Sequence, residues 1–139
     1  MKVFPFLLMF FSSFISAQNS DESLIKATVN GLFDGMKTSD SSKISNAFTK
    51  NAILQTITKT GEAKTENIKN FATSISKAEK GSLEERIAFS NILIDGNLAS
   101  VWTPYEFYYQ GKFSHCGVNS FQLIKINTEW KIQYIIDTR

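Results

Sequence analysis

The sequence predicts an α+β domain. Apolar residues recur at helical spacing through the first half, alternate with period two from Leu83 onward, and the alternating runs are separated by short turn signals. Ile25, Val29, Leu32, Phe33 and Met36 fall on one stripe, which predicts a first helix over 21–38, with Asn19 and Glu22 spaced as a cap and its reciprocal partner. Gly31 and Gly35 lie on the flank of that stripe. An interior Gly costs about 1 kcal/mol against Ala, so a neighbouring helix or a ligand is expected to come close there. Asp40 caps a short second helix that turns Ile44, Ala47 and Phe48 inward. Residues 52–58 read as a strand and 59–61 as a turn; Ile68, Phe71, Ala72 and Ile75 mark a third helix ending near Gly81.

Four further strands are expected over 83–94, 98–109, 112–126 and 130–137, joined at Asp95-Gly96, Gln110-Gly111 and Asn127-Thr128. In a two-residue hairpin, residues equidistant from the turn face each other. That rule pairs Leu93 with Leu98, Phe89 with Trp102, Tyr108 with Phe113, Glu106 with His115, Leu123 with Ile132, Phe121 with Tyr134 and Asn119 with Ile136. The helix-facing side of the sheet then carries Phe89, Leu93, Trp102, Glu106, Tyr108, Phe113, His115, Asn119, Phe121, Leu123, Ile132, Tyr134 and Ile136. Pro104, which lacks an N–H, marks a bulge or an edge.

The 139 residues are 42% hydrophobic and 20% charged, the composition of one globular domain, and the net charge of +2 gives no footprint for nucleic acid. One Cys and one His exclude an intrachain disulfide and a zinc site built from Cys and His. Residues 1–17 read as a secretory signal: Met1-Lys2 is positive, Val3 to Ile15 is mostly apolar, and Ser16-Ala17 offers a small-residue cleavage site. The apolar run is shorter than the ~20 residues a spanning helix needs. The single domain 18–139 is therefore expected to be exported, periplasmic or secreted, with no membrane insertion after signal removal.

The motifs Val101-Trp102-Thr103-Pro104-Tyr105-Glu106-Phe107-Tyr108, Gly111-Lys112-Phe113-Ser114-His115-Cys116-Gly117, Phe121-Gln122-Leu123 and Trp130-Lys131-Ile132, with Phe33-Asp34-Gly35 in the first helix, resemble the nuclear transport factor 2-like superfamily. Within it the chain is similar to the SnoaL-like and lumazine-binding subgroup. The resemblance implies three N-terminal helices packed on a strongly bent antiparallel sheet, a cone-shaped α+β barrel. It also implies a small-molecule ligand, without selecting between enzyme and binder.

His115 is the only group besides a terminus whose ordinary pKa lies near neutrality, and Glu106 opposite it would orient the ring. Tyr108 on the same face adds a donor, so His115, Glu106 and Tyr108 are the catalytic candidates for proton abstraction, isomerisation or elimination. The same pair also reads as a cross-strand hydrogen bond in a pocket wall. Trp102, Glu106, Tyr108, Phe113, His115, Asn119, Phe121 and Tyr134 are the candidate binding residues for a flat organic ligand, aromatic faces mixed with polar groups on one concave surface. His115 and Glu106 supply only two metal ligands, so no metal is expected, and no cofactor is implied. Cys116 points to the opposite sheet face from His115 and reads as a small buried thiol.

Three function classes fit these features. The first is an exported domain binding a small organic molecule, the second a small lyase, isomerase or cyclase, and the third a structural dimer module whose pocket is filled by its own side chains. The registers leave Val101, Tyr105, Phe107, Tyr109, Cys116, Val118, Ile124, Ile126 and Ile135 on the far face of the sheet, an apolar stripe that predicts a two-fold homodimer through Val101, Tyr105, Phe107, Cys116, Val118 and Ile124.

Overall fold

The apolar stripe Ile25, Val29, Leu32, Phe33 and Met36 is buried along its length. It belongs to α1 (Ser13–Thr38). The computed structural model describes the backbone of residues 13–139 and side chains from Ser20 onward, so the signal expected over 1–17 falls, for its first twelve positions, outside the described residues. Asn19 and Glu22 do not start the helix. No Gly or Pro interrupts the chain between Ser13 and Gly31, and Glu22 instead pairs with Lys26 one turn on, at 2.6 Å. Among the described residues no helix is long and apolar enough to cross a membrane.

Asp40 caps α2 (Ser41–Ala47) by accepting from the Lys43 N–H at 3.0 Å. Asn67 does the same for α3 (Ile68–Ser76), accepting from the Asn70 N–H at 3.1 Å. α2 lies close on α1 because Gly35 has no side chain: a Cβ there would stand 2.9 Å from Ile44 Cγ1. Gly31 faces open space, so close approach accounts for one of the two glycines only.

The strands are β1 (Phe48–Ile57), β2 (Ala63–Glu66), β3 (Leu83–Ile87), β4 (Asn91–Asp95), β5 (Leu98–Tyr109), β6 (Lys112–Ile126) and β7 (Glu129–Asp137). They form one curved sheet in the order β2-β1-β7-β6-β5-β3, with β4 also on β5. The fold class is the expected three helices on a bent sheet. The sheet is nevertheless open and mixed, because β1 runs parallel to β7. The single strand expected over 83–94 is two strands sharing β5. Pro104 explains the break. Its carbonyl accepts from Ala88, and N–H and C=O of one strand residue point the same way, so its missing donor falls on the β3–β4 side.

The registers are right next to the Gln110-Gly111 and Asn127-Thr128 turns and wrong beyond a bulge in each of those hairpins. Tyr108 faces Phe113, but Ser114 is then an extra residue, and beyond it Phe107 faces His115 and Glu106 faces Cys116. Leu123 faces Ile132, but Gln133 is extra, and beyond it Phe121 faces Ile135 and Asn119 faces Asp137. The first hairpin turns at Gly96-Asn97, one residue later than expected, so Asp95 faces Leu98. A one-residue bulge reverses the face of every residue beyond it. Val101, Tyr105 and Ile135 are accordingly buried in the core, with Phe107 packed against it, rather than lying on the outer face. Trp102, Glu106, Tyr108, Phe113 and Tyr134 lie outside instead of facing the helices.

Asp21 ties α1 to the sheet. Its Oδ1 accepts from Lys125 Nζ at 2.7 Å and from Trp130 Nε1 at 3.0 Å, and these two bonds hold its carboxyl below the usual carboxylate range.

Candidate functional site

The helices do not seal the inner face completely. Between α1 (Leu32, Phe33, Met36), α3 (Phe71, Ile75) and the sheet lies a cavity of about 170 Å³. Phe48, Leu54, Phe107 and Ile135 continue its apolar wall, and Thr56, Glu66, Glu85, Tyr105, His115, Asn119, Asp137 and Arg139 bring polar groups to it. The alternating strands build this mixture: inward positions of β3, β5, β6 and β7 deliver Glu85, Tyr105, His115, Asn119 and Asp137 to one end of the sheet.

Asn119, 3% exposed, donates from Nδ2 to Glu85 Oε1 at 2.7 Å and to Thr103 Oγ1 at 3.4 Å. Burial pushes the Glu85 carboxyl up to about 7, against the pull of the Asn119 bond, and the Asp137 charge raises it further. Burial also raises Asp137, with opposition from a Thr56 hydrogen bond. Asp137 Oδ1 is buried without a hydrogen-bond partner, and Arg139 Nε stands 4.0 Å away, beyond hydrogen-bond reach. The His115 ring lies tilted on Phe107 at 5.0 Å and edge-on to Tyr105 at 5.8 Å. Burial, then the Arg139 charge, lowers its pKa, so it is a neutral ring at pH 7.

Of the candidates read from the sequence, His115 and Asn119 reach the cavity. Phe121 is fully buried behind it, edge-on to Phe33 at 6.2 Å. Glu106 and His115 project from opposite faces, because Ser114 is an extra residue, so Glu106 cannot orient the His115 ring. Glu106 instead accepts from Tyr108 Oη at 2.8 Å on the outer face, where the Arg86 guanidinium stacks 3.9 Å from the Tyr108 ring centre. Phe113 is 57% and Trp102 48% exposed; Tyr134 donates to Gln55 Oε1 at 2.7 Å on that same outer side. Cys116 is exposed rather than buried, since it shares the outer face with Glu106.

Glu85, Asp137 and Arg139 were not among the candidates. Glu85 was findable: in Leu83-Glu84-Glu85-Arg86-Ile87 it occupies the apolar parity, a charged residue where a core residue belongs. Asp137 was hidden by the Gln133 bulge, without which it counts as outward.

A three-helix roof over an open curved sheet, with a polar-ended cavity between them, defines a nuclear transport factor 2-like pocket domain. Residues 20–134 match the family described as "Putative lumazine-binding", and the chain belongs to that family. Comparison with curated proteins gave no match. Among solved structures, an NTF2-like protein of unknown function from Shewanella baltica OS155 superposes with a TM-score of 0.69 at 20% identity, covering 86% of this chain and 93% of that one. An NTF2-like protein with a cystatin-like fold from Novosphingobium aromaticivorans gives 0.73 at 8% identity, over 94% and 91%. A "Putative Scytalone Dehydratase" from the same species gives 0.69 at 12%, over 88% and 86%. At such identities the likeness is one of fold.

Proposed function

We propose that the domain is exported and binds a compact, flat organic molecule in the inner cavity. The observation that carries this is a cavity of about 170 Å³ whose apolar wall ends in convergent buried polar groups, one of them an unpartnered carboxylate oxygen. A buried acceptor without a donor is unfavourable unless something supplies the donor, and a ring N–H or O–H is suited to do so. The volume compares with the ~150 Å³ engineered cavity that accepts benzene, so the deep part takes about one ring of a ligand. It also speaks against a pocket filled by the protein's own side chains. Membership of a family named for lumazine suggests that bicyclic ring as the first probe. Calorimetric titration of the full chain with lumazine is expected to show saturable one-site binding; absence of binding contradicts the reading.

A second reading is proton-transfer chemistry, a small lyase, isomerase or cyclase. Glu85 favours it: a carboxyl held near neutrality inside a cavity is poised to accept and return a proton. In this version Glu85 replaces the Glu106–His115 pair.

Two copies are further proposed to associate through the outer sheet face. Cys116, Val118 and Ile124 belong to it as expected, and Leu93, Leu98 and Trp102 add exposed apolar surface.

A further inference from the structure

The cavity opens beside a second concavity of about 440 Å³ on the β1–β2 hairpin, lined by Thr56, Ile57, Thr58, Lys59, Lys64, Thr65, Glu66 and Arg139. The two share Thr56, Glu66 and Arg139. Where the inner space is apolar with acids at its end, the outer one holds three cations against the single carboxylate of Glu66. Among the described residues neither Lys59 nor Lys64 has an ion-pair partner.

Both sides of this groove are fixed before any ligand arrives. The hairpin turn is closed by Thr58 N–H to Glu62 O at 2.8 Å and Gly61 N–H to Thr58 O at 2.9 Å, with Gly61 at φ +85°. Opposite it, Arg139 is positioned by its neighbour Thr138. The Thr138 carbonyl accepts from Tyr105 Oη at 2.7 Å, its N–H donates to Val118 O at 3.0 Å, and its Oγ1 accepts from the Val118 N–H at 3.1 Å. Gly117 makes room for that segment: a Cβ there would collide with the Thr138 carbonyl. Arg139 lines both the apolar cavity and the lysine-bearing groove, its Nε 4.0 Å from Asp137 Oδ1, and a guanidinium at that junction is suited to an oxyanion.

We infer that the ligand is an amphipathic organic anion, its ring in the inner cavity and its anionic group in the outer groove between Lys59, Lys64 and Arg139. This deepens the small-molecule reading and presupposes it. The test is a panel of single-ring hydroxyaromatic compounds, each as the carboxylate and as its methyl ester, titrated into the full chain by NMR. The carboxylates are expected to bind about tenfold tighter than their esters at 50 mM salt, and the preference should shrink at 500 mM. K59A/K64A should weaken the carboxylates and leave the esters unchanged. Equal affinity for acid and ester, or a preference that survives K59A/K64A, overturns the anion site while the cavity reading stands. If neither form of any compound shifts the resonances of cavity residues, both fall together.

Discussion

Glu85 shows how burial turns a charge into a pH-dependent term. Its folded pKa is about 7 against 4.5 for the free side chain, so the folded state holds its proton over a window where the unfolded state has released it. Stability is therefore lost as pH rises from about 4.5 to about 7, and the loss is complete above that. The span of roughly 2.5 pH units corresponds to about 3 kcal/mol. His115 acts with the opposite sign: its lowered pKa makes stability fall as pH drops below its ordinary 6.5. A comparison of wild type with Glu85→Gln isolates the carboxyl, because His115 and Asp137 titrate in both. Gln also keeps an oxygen for the Asn119 bond. Urea denaturation from pH 4 to 8 should show wild type losing about 3 kcal/mol relative to the variant. Parallel curves would contradict the burial account.

At the scale of elements, the two helical glycines separate cleanly. Gly31→Ala places a methyl in open space and gains helix propensity, so it should stabilise by about 0.5–1 kcal/mol. Gly35→Ala drives a methyl against Ile44, which is fully buried, and should instead destabilise by about 1–3 kcal/mol. Thermal melts of the two variants check this, and a shift of the same sign in both would contradict it. The apolar stripes and the Asp40 cap were legible in the sequence because they are local: Ile25 through Met36, Asp40, and Ile68 through Ile75 behave as read, whereas the Asn19–Glu22 cap does not, α1 having begun at Ser13. The strand ends beside Gln110-Gly111 and Asn127-Thr128 were legible for the same reason, whereas the first hairpin turns one residue later than Asp95-Gly96 implied. What could not be read was the pair of bulges at Ser114 and Gln133, since nothing in a period-two pattern distinguishes an extra residue from an ordinary one. Each bulge reversed a face. Five of the eight candidate binding residues therefore fell outside, and Glu85 with Asp137 took their place. His115 and Asn119 survived because they lie on β6 beyond its own bulge at Ser114, where the face assignment of that strand was right.

For the whole molecule, the corrected faces make the proposed association specific. Val118→Lys adds charge to the outer face alone and should turn a dimer into a folded monomer, as read by light scattering with circular dichroism. Phe107→Lys should unfold the chain, because Phe107 packs against the core. A dimer unaffected by Val118→Lys would place the interface elsewhere. The central claim is that the space under the helix roof is a ligand site, and its most direct test is where the ligand sits. In a lumazine titration followed by NMR, the Asn119 side-chain amide and the His115 ring should shift together and saturate with one constant. If the shifts gather instead around Trp102, Glu106 and Tyr108 on the outer face, or none saturates, the cavity is not the binding site.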